Sequence, residues 1–358
     1  MLNPTVSVCI PTYNGEEYLK DCLNSVLSQT FSDFEVLIID DQSSDQTLSI
    51  AKEYANQDVR IQVVQNSKNL GLVGNWNRCA QIAQGEWIKF VFQDDLIASQ
   101  CLEKMLDSSQ SESSIICCRR DFIFSPNTPD NIRRFYENIL ELKHFFPQGG
   151  ELSVEEYCQL ILGNLGHNFV GEPTAVMMRR EVFHRFGAFN PALIQICDLE
   201  FWTRIAVNTG ITYVPETLAT FRLHGQSTSS KNHADRQYRV EVLDPLIFLH
   251  DLVLHPLYAP LRAIAAAQPS PIDLKALLRQ RSYQARKDAQ RHASLQEAWG
   301  KALAVYPALA DFAEANFFRS ITYDSKRELQ TLKKKIKLRL KSQLQNESSV
   351  QKPQTVGK

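Results

Sequence analysis

The stretch Val6-Ser-Val-Cys-Ile-Pro-Thr-Tyr-Asn14 decides the fold, because a short apolar strand stops at proline and polar side chains follow at once. Residues 34–39 lead into Asp40-Asp41 in the same way, and residues 87–92 lead into Asp94-Asp95. Ligands of an open α/β sheet bind beyond the carboxyl ends of its strands. The three strand ends therefore predict one cleft, rich in carboxylates and poor in glycine.

Helical patterns separate these apolar runs. Residues 16–29 carry apolar side chains at helical spacing, and a second helix is predicted from Gln46, capped by Ser44 or Asp45. Further strands are predicted at residues 61–64 and 115–118. Strands that alternate with helices indicate βαβ units, so we predict an α/β fold with a mostly parallel sheet flanked by helices.

Composition excludes several classes of protein. The 358 residues carry a formal net charge of −1, which gives no indication of nucleic-acid binding. We find neither a secretory leader nor an apolar run of about 18 residues, so we expect a cytoplasmic protein without a transmembrane helix. The eight cysteines show no metal-binding spacing and are interpreted as buried, reduced thiols.

The acidic pair Asp94-Asp95 is the first candidate for chemistry. Two adjacent carboxylates in a turn are often a solvated surface pair, but here they follow a predicted central strand. A hard divalent cation, Mg²⁺ or Mn²⁺, takes one or two carboxylates and completes its shell with water and phosphate oxygens. We therefore predict that a divalent cation helps to bind a phosphate-bearing ligand in the cleft.

Seven segments together resemble the inverting glycosyltransferases with the GT-A fold, glycosyltransferase family 2. The match covers residues 5–230 and rests on the order and spacing of the segments. They are Val8-Cys-Ile-Pro-Thr-Tyr-Asn-Gly15, Leu37-Ile-Ile-Asp-Asp-Gln-Ser-Ser-Asp45, Asn69-Leu-Gly71, Phe92-Gln-Asp-Asp95, Gly171-Glu-Pro-Thr174, Asp198-Leu-Glu-Phe-Trp202 and Arg222-Leu-His-Gly-Gln-Ser-Thr-Ser229.

The resemblance implies a role for each matched position. Asp198 is the expected catalytic base, and Asp94, Asp95 and His224 are the expected metal ligands. Phe92 and Cys197 depart from the family pattern, which usually has an acidic residue at each of these positions. The residues expected to bind the sugar nucleotide are Pro11, Tyr13, Asn14, Glu16, Asp40, Asp41, Asn69, Gly71 and Asp94.

The family also implies an organisation of the chain. Residues 1–230 would form the GT-A domain, with a sugar-nucleotide half at about 1–125 and an acceptor half at 126–230. Residues 231–345 are predicted to be a helical C-terminal region, because strand patterns fade there and Ala, Leu, Gln, Arg and Lys dominate. Residues 346–358 are polar and are predicted to be disordered.

The chemistry of an inverting transfer agrees with this residue set. An acceptor hydroxyl attacks the anomeric carbon as the nucleoside diphosphate leaves, so the enzyme needs one general base and a cation for the leaving group. No protein nucleophile is required. We expect a nucleoside-diphosphate sugar as donor, with uridine diphosphate the commonest in the family. The acceptor is expected to be a glycan or lipid-linked hydroxyl in cell-surface glycan assembly.

Other interpretations of these features stay open. Asp198 is also a good N-cap for the helix that follows it. A non-catalytic sugar-nucleotide binder or assembly protein is an alternative, since the family's acidic pattern is incomplete at Phe92 and Cys197. A nucleotidyltransferase is disfavoured by the acidic loop after the first strand, and a dehydrogenase by the absence of G-x-G-x-x-G there.

The basic segment near the C-terminus has two interpretations. An apolar stripe at helical spacing is surrounded by Lys and Arg, which suits either a solvated helix packed on the body or an interfacial helix on anionic lipid. The second interpretation would place the protein on the inner face of the membrane. The stripe consists of Leu329, Leu332, Ile336 and Leu340.

Overall fold

The computed structural model describes residues 3–109, 114–225, 227–228, 231–232 and 237–314. Nine strands form one sheet within these residues. The strands are β1 (Val6–Thr12), β2 (Phe34–Asp40), β3 (Ile61–Gln65), β4 (Trp87–Phe90), β5 (Leu96–Ile97), β6 (Ile115–Phe124), β7 (Gly150–Leu152), β8 (Val176–Arg179) and β9 (Ile211–Leu223).

The sheet is mixed, with the order β3-β2-β1-β4-β8-β6-β9-β5 and with β7 also paired to β9. Strands β1 to β4 are parallel, as predicted, and β6 is parallel to β9. Strand β8 is antiparallel to β4 and β6, while β5 and β7 are antiparallel to β9. The predicted α/β class is confirmed, and parallel pairing is regular where crossover helices link successive strands.

Thirteen α-helices lie in the described part of the chain. They are α1 (Leu19–Leu27), α2 (Thr47–Ala55), α3 (Gly71–Ile82), α4 (Cys101–Asp107), α5 (Asp130–Glu137), α6 (Val154–Gly163), α7 (Val182–Phe186), α8 (Cys197–Thr209), α9 (Asp244–Leu254), α10 (Ala259–Ala267), α11 (Leu274–Ala289), α12 (Ala293–Val305) and α13 (Ala308–Glu314). A π-helical turn, Arg239–Leu243, precedes α9.

The predicted helix starts differ from the structure by one to three residues. Helix α2 begins at Thr47, next to the predicted start at Gln46, and the Asp45 carboxylate accepts from Thr47 N at 3.0 Å, as expected of the predicted cap. Helix α1 begins at Leu19 and not at residue 16. Helix α8 begins at Cys197 and has Ile196 as its N-cap. Asp198 therefore lies inside the first turn rather than at the cap position.

The two faces of the sheet carry two apolar cores. Helices α1, α2 and α4 pack on one face, and the other core extends through α3, α6 and α8 into helices α9 to α13. All eight cysteines are buried and unpaired, as predicted. No helix of the described residues is long and apolar enough to cross a membrane. The basic stripe at 329–340 and the tail at 346–358 lie outside the described residues.

Candidate active site

The loops that follow β1 and β2 are fastened to each other. The side-chain oxygen of Asn14 accepts from Ser44 N at 2.8 Å, and Asn14 N donates to Ser43 Oγ at 3.0 Å. Asn14 has a φ of 47°, a left-handed conformation that asparagine tolerates. Glu16 Oε2 accepts from Gln46 N at 2.7 Å. Asn14 and Glu16 thus hold two loops together at the mouth of the cleft.

The backbone of Tyr13 is held by Gln93, a residue to which the sequence assigned no role. Gln93 Oε1 accepts from Tyr13 N at 2.9 Å, and Gln93 Nε2 donates to Tyr13 O at 3.1 Å. The Tyr13 side chain is 51% exposed. A Cβ at Gly15 would lie 2.2 Å from Gln93 Oε1, so any larger residue there would displace the Gln93 side chain. Pro11 is buried in β1, beside Ile39 of β2.

Asp41 organises the loop that begins α3. Its Oδ1 accepts from Asn66 Nδ2 and Leu70 N, both at 2.8 Å, and its Oδ2 accepts from Gly71 N at 2.9 Å. Asn69 Nδ2 donates to the Asp41 carbonyl at 2.9 Å. The buried Asp41 carboxylate is therefore fully engaged by the segment that contains the predicted donor residues Asn69 and Gly71.

Asp40 lies one residue earlier, at the carboxyl end of β2. Its Oδ2 accepts from Ser43 N and Gln65 Nε2, both at 3.1 Å. Its Oδ1 is buried without a hydrogen-bond partner among the described residues. A buried acceptor without a donor is costly, so Asp40 Oδ1 is the oxygen that would gain from a new hydrogen bond.

Asp94 and His224 form a pair at the carboxyl edge of the sheet. Asp94 Oδ2 lies 3.0 Å from His224 Nε2, and both side chains are partly exposed. The centres of the Tyr18 and His224 rings lie 4.8 Å apart. The Arg222 guanidinium lies over the Tyr18 ring, 4.7 Å from its centre. Arg222 Nε also donates to the Asp94 carbonyl at 2.9 Å.

Asp95, in contrast, is fully buried and has two partners. Its Oδ1 accepts from Arg222 N at 2.9 Å, and its Oδ2 accepts from Thr174 Oγ1. Burial, and then the charge of Asp94, raise the pKa of Asp95 well above its usual range. Each Asp95 oxygen thus already accepts one hydrogen bond inside the protein, whereas Asp94 is partly exposed.

A divalent cation fits the Asp94–His224 pair by the chemistry of its donors. Carboxylate oxygen suits Mg²⁺ and Mn²⁺, and imidazole nitrogen is a ligand for transition metals, so the pair suits Mn²⁺ better than Mg²⁺. No group of three metal-binding side chains occurs among the residues that the structure describes. Two protein ligands suffice where substrate phosphates and water complete the shell, as is usual for Mg²⁺ sites.

Asp198 is a carboxylate whose surroundings favour protonation. It is 9% exposed, accepts from Asn168 Nδ2 at 2.9 Å and accepts from Leu199 N at 2.7 Å. The pKa of Asp198 is raised to about 7, chiefly by burial and also by the nearby charge of Glu172, against the lowering effect of the Leu199 N–H. Such a carboxyl can exchange a proton near neutral pH, which is what a general base must do.

One loop connects Asp198 with the Asp94–Asp95 strand end. Asn168, the partner of Asp198, also exchanges two hydrogen bonds with Gly171, at 3.0 and 3.1 Å. Three residues further on, Thr174 donates to Asp95. Thr174 ends one of the segments of the family resemblance, but neither it nor Asn168 was given a role from the sequence, because uncharged hydrogen-bonding residues leave no periodic signal.

The buried side chain of Arg120 contacts the loop of residues 168–174 through Glu172. Arg120 forms ion pairs with Glu172 and, at 3.6 Å, with Glu141. A Cβ at Gly171 would lie 3.2 Å from Arg120 Nη1, and Gly171 has a φ of 122°, which also requires glycine. The Trp202 indole donates to the Gly171 carbonyl at 3.0 Å, so α8 and the loop are joined beside Asp198.

Comparison with protein families decides the classification. The model of glycosyl transferase family 2 matches residues 7–187. The chain belongs to glycosyl transferase family 2. An uncharacterized protein of Mycobacterium tuberculosis is 30% identical over 259 residues, which are 71% of this chain and 77% of that protein. The predicted family and enzyme class are thereby confirmed.

Two further similarities concern a shorter segment and the fold. A Bacillus subtilis protein, provisionally named the teichuronic acid biosynthesis glycosyltransferase TuaG, is 37% identical over 110 residues, 31% of this chain and 44% of that protein. The crystal structure of S. aureus TarS 1-349 in complex with UDP-GlcNAc superposes with a TM-score of 0.54. It is 20% identical and covers 88% of this chain and 93% of that chain. This family 2 glycosyltransferase therefore has the GT-A fold.

Proposed function

We propose that this glycosyltransferase moves a sugar from a uridine-diphosphate sugar to an acceptor hydroxyl, with inversion, during assembly of a cell-surface polysaccharide. The observation that carries the proposal is Asp198, a nearly buried carboxylate with a pKa of about 7. One loop, residues 168–174, links it to the strand end that bears Asp94. A proton acceptor and a diphosphate-binding edge are the two parts that an inverting transfer needs.

In the proposed step, Asp198 takes the proton of the acceptor hydroxyl as its oxygen bonds to the anomeric carbon. The bond from that carbon to the diphosphate oxygen breaks, and the nucleoside diphosphate leaves with the electron pair. Asp198 ends the step protonated and returns its proton to water. Because the pKa of Asp198 lies near 7, a useful fraction of the carboxyl is ionised at neutral pH. The ionised form is also more basic than an ordinary aspartate, which favours transfer of the alcohol proton to it.

We propose Asp94 and His224 as the ligands of a divalent cation, Mn²⁺ in preference to Mg²⁺. When bound there, the cation would stabilise the charge that develops on the diphosphate. The protein's own contribution is to hold the two ligands in place. Arg222 does so through the Asp94 carbonyl, and the Tyr18 ring does so against the imidazole.

The nucleoside is proposed to lie between the loops after β1, β2 and β3. The exposed Tyr13 ring offers a stacking surface for a nucleobase, held in place by Gln93. Pro11, Asn14 and Glu16 would shape this side of the pocket. Asp40, Asp41, Asn69 and Gly71 would form the other side. The UDP-GlcNAc complex of the similar S. aureus structure supports a uridine nucleotide as donor.

The acceptor is proposed to be a glycan or lipid-linked hydroxyl, in keeping with the teichuronic acid relative. We also propose that the basic segment 329–341 brings the enzyme to anionic lipid on the cytoplasmic face of the membrane. Cosedimentation with phosphatidylglycerol vesicles, compared between the full chain and a chain ending at residue 325, tests this second proposal. Equal binding by both chains would contradict it.

The function is tested by incubating the protein with Mn²⁺ and each of UDP-glucose, UDP-galactose, UDP-GlcNAc and GDP-mannose, and measuring nucleoside diphosphate release. We expect turnover with a UDP-sugar, faster with added glycan acceptors. Proton NMR of the product should show the anomeric configuration opposite to that of the donor. Binding of UDP-sugars without any turnover would instead favour the non-catalytic binder.

A further inference from the structure

The segment before helix α8 sets the position of Asp198, because Asp198 is the second residue of that helix. Side chains from within the first 230 residues hold the start of this segment. Asn77 Nδ2 donates to Phe189 O at 3.0 Å, and Phe189 N donates to Asn77 Oδ1 at 2.9 Å. Arg204 Nη2 donates to the Ala188 carbonyl at 2.8 Å. Residues 188 and 189 are thus fixed from within the first 230 residues.

The end of the segment is held by the C-terminal region instead. Asp244, the first residue of α9, accepts from Ile194 N at 2.9 Å and from Gln195 N at 2.7 Å through its Oδ2. Asn232 Nδ2 donates to the Ile194 carbonyl at 3.1 Å. Earlier in the segment, Asn190 Nδ2 donates to Tyr306 Oη at 2.7 Å. Three side chains of the C-terminal region, Asp244, Asn232 and Tyr306, therefore contact the segment between Asn190 and Gln195.

We propose that Asp244 is a positioning residue for the Asp198 base, and that the C-terminal helices are thereby a working part of the catalytic unit. The inference rests on the proposed role of Asp198. Ile196, the N-cap of α8, follows directly after the two residues whose N–H groups Asp244 accepts. If Ile194 and Gln195 shift, the first turn of α8 shifts with them, and a displacement of about 1 Å at a reacting group can cost about 100-fold in rate.

The geometry of Asp244 requires a carboxylate and not an amide. Its Oδ2 accepts from the two N–H groups, and its Oδ1 lies 3.3 Å from Arg239 Nε of the π-helical turn in an ion pair without a hydrogen bond. Two N–H groups therefore face one oxygen of a fully buried side chain, and a positive charge faces the other. Asparagine has one acceptor oxygen and one NH₂ group, so one orientation turns its NH₂ toward the two N–H groups and the other turns it toward Arg239. Asp244→Asn keeps the size of the side chain and removes the negative charge.

Hydrogen–deuterium exchange of the full chain tests the positioning directly. In Asp244→Asn, we expect the backbone amides of peptides covering residues 190–199 to exchange at least tenfold faster than in the wild type. The exchange rates of helix α1 should not change. Tyr238→Phe is the matched control, because it removes one hydrogen bond of the same region, from Tyr238 Oη to Ala285 O, without touching the segment. It should leave peptides 190–199 unchanged. If Asp244→Asn does not fold, Asn232→Ala should give a smaller acceleration of the same peptides.

Unchanged exchange in residues 190–199, or equal acceleration by Tyr238→Phe, would overturn the inference. With a donor that turns over, Asp244→Asn should lower kcat at least tenfold and leave the KM for the donor within about twofold. A purely structural role would lower the melting temperature and leave kcat of the folded fraction unchanged. If the wild type turns over no donor, the proposed function fails, while the exchange experiment still decides whether Asp244 holds the Asp198 segment.

Discussion

Asp94 and His224 lie 3.0 Å apart although 130 residues separate them in the chain. Asp94 follows β4 in the parallel part of the sheet, and His224 follows the long strand β9. The pair forms because β5, just after Asp94, is antiparallel to β9. The proposed metal site therefore depends on the association of the two halves of the first 230 residues.

The first prediction concerns this pair. His224→Ala removes the imidazole, so we expect Mn²⁺ to stabilise the UDP complex at least tenfold less, while UDP binding without metal stays within about twofold. Calorimetric titration of UDP with and without Mn²⁺ measures both quantities. His292→Ala, at an exposed histidine, is the control. A full Mn²⁺ effect in His224→Ala would remove His224 from the ligand set.

Asp95 and Thr174 should matter for stability. Thr174→Val removes the donor to Asp95 and the acceptor of Phe92 N, 3.1 Å away, so we expect a loss of about 1–3 kcal/mol in the free energy of unfolding. Urea denaturation of Thr174→Val, Asp95→Asn and the double variant measures the coupling. Additive effects would show that the two side chains do not interact. A stable Asp95→Asn variant that has lost Mn²⁺ binding would restore Asp95 as a metal ligand.

The pH dependence of the reaction should follow Asp198. A base must be ionised, so kcat/KM should fall about tenfold per pH unit below a midpoint near 7 and level off above it. Initial rates between pH 5 and 9 test this, with donor affinity measured at each pH. A profile that is flat across pH 7 would contradict the assignment.

The same shift predicts an effect on stability with the opposite slope. The folded-state pKa is raised above the unfolded value of about 3.9, so the folded form binds the proton more tightly. The resulting stabilisation is present below about pH 4 and is lost as the pH rises through about 7. Asp198→Asn resembles the protonated form, so its gain in melting temperature over the wild type should be larger at pH 8 than at pH 5.

Tyr13 provides a test of the nucleotide pocket. Tyr13→Ala removes the exposed ring, and we expect UDP binding to weaken about 3- to 10-fold, in line with one aromatic stacking contact. Tyr13→Phe keeps the ring and should bind as the wild type does. Phe135→Ala removes another exposed aromatic ring, on α5, and is the control. Equal affinity in Tyr13→Ala and Phe135→Ala would place the nucleobase elsewhere.

Strands β1 to β4 and helices α1 and α2 were predictable because apolar periodicity alternates there with clear breaks, whereas α3, α4 and β5 were not predicted. The strand predicted at 115–118 continues to Phe124, because its polar residues Arg119, Arg120 and Asp121 still pair with β9. Strand β8 begins only at Val176, since Pro173–Ala175 form a 3₁₀ turn. Pairing with a distant strand decides such boundaries, and local sequence does not record it.

The candidate site residues named from the sequence are those that lie in the segments of the family resemblance, among them Asp94, Asp198 and His224. Gln93, Asn168 and Asp244 act through hydrogen bonds to backbone or to another side chain. Nothing in their local sequence distinguishes them from surface residues, because each is defined by a partner far away in the chain.

The most direct test of the account compares Asp198→Asn with the wild type, using one UDP-sugar that the wild type turns over, at saturating Mn²⁺. The account predicts that Asp198→Asn binds UDP within about twofold of the wild type and loses at least 1,000-fold in kcat. Asp107→Asn, at an exposed carboxylate, should match the wild type in both. Transfer by Asp198→Asn at more than a tenth of the wild-type rate would contradict the central claim that Asp198 is the catalytic base.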